Sequence, residues 1–140
     1  MKRKRVSAHL VASIVGRLCS PRDNEWRAIA SIAPGDKTAL RELVRDKVVP
    51  EFSEFDEESQ RKMRDSLEYF IRVQPERLER ILAAYQIPIQ PQSAAAFFAG
   101  VWEELFGPAT TNGEAPENYV VDKSQEFANS IRKKGYPKEG

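Results

Sequence analysis

Cys19 and His9 are the side chains of this sequence best suited to nucleophilic or metal chemistry, and each residue type occurs once in 140 residues. A nucleophile needs a base beside it. If both residues lie on one helix, their ten-residue separation corresponds to about 15 Å of rise, so neither can serve the other there. A single cysteine allows no intramolecular disulfide and no cysteine-based zinc site, and it fits a reducing compartment. Beside an apolar stripe, Cys19 reads as a small hydrophobe. His9 points away from the Leu10–Ile14–Leu18 stripe and reads as a surface residue.

Carboxylates are the other candidates. Glu51, Glu54, Asp56, Glu57 and Glu58 crowd one short stretch, and hard cations prefer oxygen ligands. The stretch lacks the central glycine of a calcium loop, and Phe52 and Phe55 interrupt it. Acidic residues at a helix start are expected in any case, because they offset the helix dipole. Paired Glu-x-x-His motifs, which hold two metals in some bundles, are absent. Glu57-Glu58 and Glu103-Glu104 read as solvated helix faces. Neither GxxxxGK[ST] nor GxGxxG occurs, so no standard phosphate cradle is present. No catalytic residue, metal ligand or cofactor is expected, and an enzyme with an unrecognised carboxylate site is the least favoured reading.

The elements that would position any site are helical. Apolar residues recur at three- and four-residue steps throughout, and no alternation runs for a strand's length. The expectation is an all-α, compact bundle of six or seven short helices forming one domain over 1–140. The first helix is expected over about 6–19. A second opens at Ser20-Pro21 and carries Trp26, Ile29, Ala30 and Ala33 inward. Asp36 caps a third, with Leu40, Leu43, Val44 and Val48 inward. Pro50 should stop it, with Val49 pushed out of helical geometry, and 51–55 should connect onward.

A fourth helix over about 56–73 has a narrow stripe of Met63, Leu67, Phe70 and Ile71, and charged pairs over the rest, so it reads as a solvated surface helix. Pro75 opens a fifth. Pro88 and Pro91 make 87–91 an extended connector. The helix over about 92–106 is apolar on more than one face and is expected at the centre. Residues 109–116 read as a loop, 117–134 as a weakly packed helix free to swing, and 135–140 as a tail.

Charge is uneven. The chain has 22 basic and 21 acidic residues, yet Lys2, Arg3, Lys4 and Arg5 form a basic arm, and Arg132, Lys133, Lys134 and Lys138 a second basic end. The body between is mildly acidic. Residues 1–22 contain no acidic residue and resemble a mitochondrial presequence in composition, although Val6, Leu10, Val11, Ile14, Val15 and Leu18 form the stripe of a core helix, which is the preferred reading. Cytoplasmic localisation is expected, with the mitochondrial matrix as the alternative if this segment is a presequence. No membrane span is expected.

Missing chemistry and an intact core pattern point to a soluble, non-catalytic protein-interaction or regulatory protein, with Tyr119 and Tyr136 as candidate contacts for a protein partner. The alternative is a nucleic-acid accessory protein that grips phosphates through Lys2, Arg3, Lys4, Arg5, Arg132, Lys133 and Lys134.

Overall fold

Caps and apolar spacing set the elements. The computed structural model describes residues 3–19, 27, 29–33, 36–84, 93–107 and 116–134. Ser7 accepts the His9 N–H through its hydroxyl and opens α1 (Ala8–Ile14), which buries Leu10, Val11 and Ile14. The chain breaks at Val15 and resumes as α2 (Gly16–Cys19). Asp36 accepts the Ala39 N–H at 3.0 Å and opens α3 (Lys37–Leu43). The expected helix start at Ser20 and Trp26, the connector 87–91, most of the loop and the tail with Tyr136 lie outside the described residues. Of the second helix's expected inward residues, Ile29 is buried and Ala33 is exposed.

Pro50 does not end a helix. The helical path runs from α3 through a π turn (Val44–Val48) into α4 (Val49–Glu54), and Val49 keeps helical angles of φ −60° and ψ −47°. A proline ring inside an α-helix collides with the carbonyl four residues earlier and donates no hydrogen bond. The wider turn just before Pro50, in which Val49 donates to the Val44 carbonyl, relieves that collision and keeps the path helical. Phe52 and Phe55 still turn inward, at 6% and 8% exposure.

Asp56 accepts the Ser59 N–H at 2.8 Å and opens α5 (Glu57–Arg72). Then follow α6 (Glu76–Ala84) and α7 (Ala94–Phe106), the latter capped by Ser93 and closed by Gly107 at φ 88°, a backbone angle that favours glycine. The fold is all-α and compact apart from a small two-stranded sheet among the described residues. Strand β1 (Lys4–Val6) and strand β2 (Tyr119–Val121) pair in parallel, with Lys4 opposite Tyr119, Arg5 opposite Val120 and Val6 opposite Val121. Residues 4–6 and 119–121, far apart in sequence, thus lie side by side.

Two expectations change as a result. Residues 117–134 are not one free helix: a 3₁₀ turn (Pro116–Asn118) leads into β2, and α8 (Gln125–Ala128) is a single turn capped by Ser124. Phe127, at 4% exposure, belongs to the core, so this segment is anchored. Of the basic arm, Lys4 and Arg5 are held as strand residues rather than free.

Helix α5 is also not merely a surface helix. Its outer residues Glu57, Arg61 and Arg64 are exposed, and two four-residue charged pairs, Glu58–Lys62 and Glu68–Arg72, form at 3.7 Å. Its inner side, however, buries Ser59, Asp65, Ser66 and Tyr69 in addition to Met63, Leu67 and Phe70. It packs against α1, β1, α6 and α7. The apolar face of α7 shares this interior through Phe97, Phe98, Val101 and Trp102.

Two buried hydroxyls of α5 bind the chain ends. Ser66 Oγ accepts the Ser7 N–H at 3.0 Å and donates to the Lys62 carbonyl at 2.9 Å. Ser59 Oγ accepts the Arg132 N–H at 2.7 Å, while Asp56 N–H donates to the Arg132 carbonyl at 2.9 Å. Removing the fully buried Phe70 ring should open a cavity where α5 meets the core. Phe70→Ala is expected to cost about 3–5 kcal/mol in urea denaturation, against within about 0.5 kcal/mol for exposed Arg61→Ala.

Candidate functional site

The structure describes most of the expected contact residues, and few of them have a free charge. Lys2 and Tyr136 lie outside the described residues. Lys4 Nζ stands 3.7 Å from Asp65 Oδ1 and 6.0 Å from the centre of the Tyr119 ring. Arg5 clamps Asp122, with Nε at 2.9 Å, and stacks 4.7 Å from the Phe127 ring centre. Lys133 Nζ reaches Glu54 Oε2 at 3.1 Å. The Arg132 guanidinium donates to the Asn129 and Ile131 carbonyls. Arg3 and Lys134 are exposed. Tyr119 is not a surface contact: it is 7% exposed and donates its hydroxyl to Glu68 Oε1 at 2.7 Å. Burial, then the Glu68 carboxylate, push the Tyr119 phenol up to about 12. Asp122 is drawn down to about 2, first by hydrogen bonds from Ser124 and then by Arg5.

Two clefts stand beside these groups. One, of about 340 Å³, lies between β1, α5 and α8 and gathers Arg3, Arg5 and Lys62 with Glu58, Asp65 and Glu126. Its cations are largely engaged: Arg5 by Asp122, and Lys62 by Glu58 and by the Ser130 hydroxyl at 3.1 Å. Burial raises the Asp65 carboxyl in spite of Lys4 beside it. The arrangement ties the chain ends to α5 and leaves little net charge to attract a ligand.

The second cleft, of about 360 Å³, runs between α3 and α7. Leu40 and Val44 form one wall, and Ala96, Phe97, Ala99 and Gly100 the other. One end is closed by ion pairs. Arg41 binds Glu103 and, at 3.0 Å, Glu104, and Arg45 binds Glu104 at 2.9 Å. The Arg45 guanidinium, then Arg41, hold the Glu104 carboxyl below its usual range. Gly100 gives Arg41 its path, since a Cβ there would sit 3.2 Å from Arg41 Nε. Toward the other end lie Ser93 and the exposed Lys37, one turn before Arg41.

This second cleft was not visible as a site in the sequence. Its walls read as parts of two core helices, and only the small residues Ala94–Ala96 and Ala99-Gly100, set against a lysine and an arginine on α3, hinted at a shallow face. His9 is exposed, and the Cys19 side chain lies outside what the structure describes. Among the described residues no three His, Cys, Asp or Glu side chains could jointly hold a metal ion, and no helix is long and apolar enough to cross a membrane. Compared with protein-family models, with curated proteins and with solved structures, the chain matches none.

The raised Asp65 carboxyl has a consequence for stability. The folded chain holds this proton more tightly than the unfolded chain does. The associated stability is present below the ordinary carboxylate pKa and is lost as pH rises through the raised value. Asp65→Asn keeps the shape without the charge. It should raise the urea midpoint at about pH 7 and leave it near that of the unaltered protein at about pH 3. A lowered midpoint at neutral pH would show that the Lys4 pair outweighs the burial of the charge.

Proposed function

We propose that this protein is a non-catalytic interaction or regulatory protein, and that a protein partner binds in the cleft between α3 and α7. The apolar lining of that cleft is the observation that supports the reading. Half-buried Leu40 faces Ala96, Ala99 and Gly100 of α7 across the groove, with the almost fully buried Val44 and Phe97 beneath, so a partner's apolar side chains can approach the α7 backbone. The π turn that accommodates Pro50 begins at Val44, on this wall, and such turns are common at binding sites. The single cysteine fits a cytoplasmic setting.

The two other readings have less behind them. Phosphate binding draws on unpaired cations, whereas Lys4, Arg5 and Lys133 each face a carboxylate of the same chain. Acid–base chemistry needs a carboxyl poised to exchange a proton with a substrate. Glu104 is held ionised by two arginines, and Asp65 is set against Lys4 in a cleft of balanced charge.

A photo-crosslinking amino acid in place of exposed Ala96 tests the reading in native lysate, with the same residue in place of Arg61 as a control on α5. An adduct of discrete mass is expected from position 96 alone, and it should disappear when Ala99→Trp fills the groove. No adduct from position 96, or one indifferent to the tryptophan, would remove the cleft as the binding site.

A further inference from the structure

We infer that β2 is a self-pairing edge, to which a second copy of this chain adds its own β2 in antiparallel order about a two-fold axis at Val120. The hydrogen-bond directions of the strand set this up. Val6 accepts the Asp122 N–H at 2.8 Å, and the parallel register puts Arg5 opposite Val120. Backbone groups along a strand point alternately to its two edges. Val120 and Asp122 therefore turn their N–H groups and carbonyls toward β1, and Tyr119 and Val121 turn theirs to the other edge. Among the described residues β1 is the only strand paired with β2, so that other edge has no strand on it. Such an edge is a template for another strand.

The side chains select the occupant. Val120 is the one large hydrophobic residue left exposed among the described residues, at 38%. Three positions to either side of it stand Glu117 and Lys123, both exposed and neither with a charged partner among the described residues. The segment 117–123 is thus opposite in charge at its two ends and apolar at its centre. In an antiparallel pair centred on Val120, Glu117 of each copy faces Lys123 of the other. Like charges facing one another across an edge repel a second copy. Opposite charges at equal distances from the centre attract one.

The backbone is compatible with this register. Tyr119 of one copy lies opposite Val121 of the other, and these are the residues whose N–H groups and carbonyls face outward. Each such pair can exchange both of its N–H···O bonds, and Val120 meets Val120 of the second copy at the closer of the two antiparallel spacings. The Tyr119 ring stays against Tyr69 and its hydroxyl on Glu68, so only its backbone is used. Three strand residues a side are far fewer than the roughly 20–30 residues of a stable interface, so the dimer is weak and reversible. The edge shares no residue with the α3–α7 cleft, and the inference stands without it.

Sedimentation velocity of the full chain, at concentrations up to about 1 mM, tests the pairing. A reversible monomer–dimer equilibrium is expected. Val121→Pro removes an outward N–H and leaves the bonds to β1 in place, and it should weaken association about tenfold or more. Glu117→Lys and Lys123→Glu each set like charges opposite one another and should each weaken it about tenfold. The double variant Glu117→Lys/Lys123→Glu reverses both charges and should restore it. Urea midpoints near that of the unaltered protein separate lost association from lost folding. A chain monomeric at every concentration, a dimer indifferent to Val121→Pro, or one that the double variant does not restore would overturn the inference. So would a photo-crosslinker at position 120 that captures a different protein in native lysate while the purified chain stays monomeric, because the edge would then belong to that partner.

Discussion

Two buried hydroxyl groups on one helix organise this molecule. Ser59 and Ser66 stand seven residues apart on α5, which places them on one face two turns apart. Both are almost fully buried, and a buried hydroxyl without a partner is costly. Each takes a backbone N–H from one end of the chain: Ser66 from Ser7, ahead of α1, and Ser59 from Arg132, after α8. Met63 between these anchors, and Leu67 and Phe70 just beyond Ser66, face the interior. The parallel pairing of β1 with β2 follows, because both segments are brought to the same helix. Arg5–Asp122, Lys4–Asp65 and Tyr119–Glu68 then match the charges and polar groups gathered there.

This arrangement explains which parts of the fold were legible in the sequence. The helix start at Asp36 could be read from its cap and those near 56 and 92 from apolar spacing, and the three- and four-residue recurrence of Leu10, Ile14, Leu67 and Phe98 marks residues that are indeed buried. The strands could not be read in this way. Each has three residues, and Val6 also continues the stripe of α1, so local periodicity assigns it to a helix. Tyr119-Val120-Val121 has strand-favouring residues, but its partner lies at the opposite end of the chain, beyond the reach of any local pattern. Serines and an aspartate on the inner face of α5 looked like solvent residues for the same reason. Their partners are distant.

Pro50 illustrates a second limit. The collision that makes proline a helix breaker is local, and a sequence reading stops there. The chain instead widens one turn before the proline and continues, which keeps Phe52 in the core. The same widened turn sets Val44 against α7, so the wall of the candidate cleft depends on it. The cleft escaped a sequence reading because it is defined by the spacing between two helices whose residues each look like ordinary core.

Native-state amide hydrogen exchange of Ser7 and Arg132 tests the role of the two serines most directly. Both amides should be protected in the unaltered protein. Ser59→Ala should speed exchange at Arg132 and spare Ser7, and Ser66→Ala should do the reverse. Rapid exchange of both amides in the unaltered protein would show that the chain ends are not held by α5 at all.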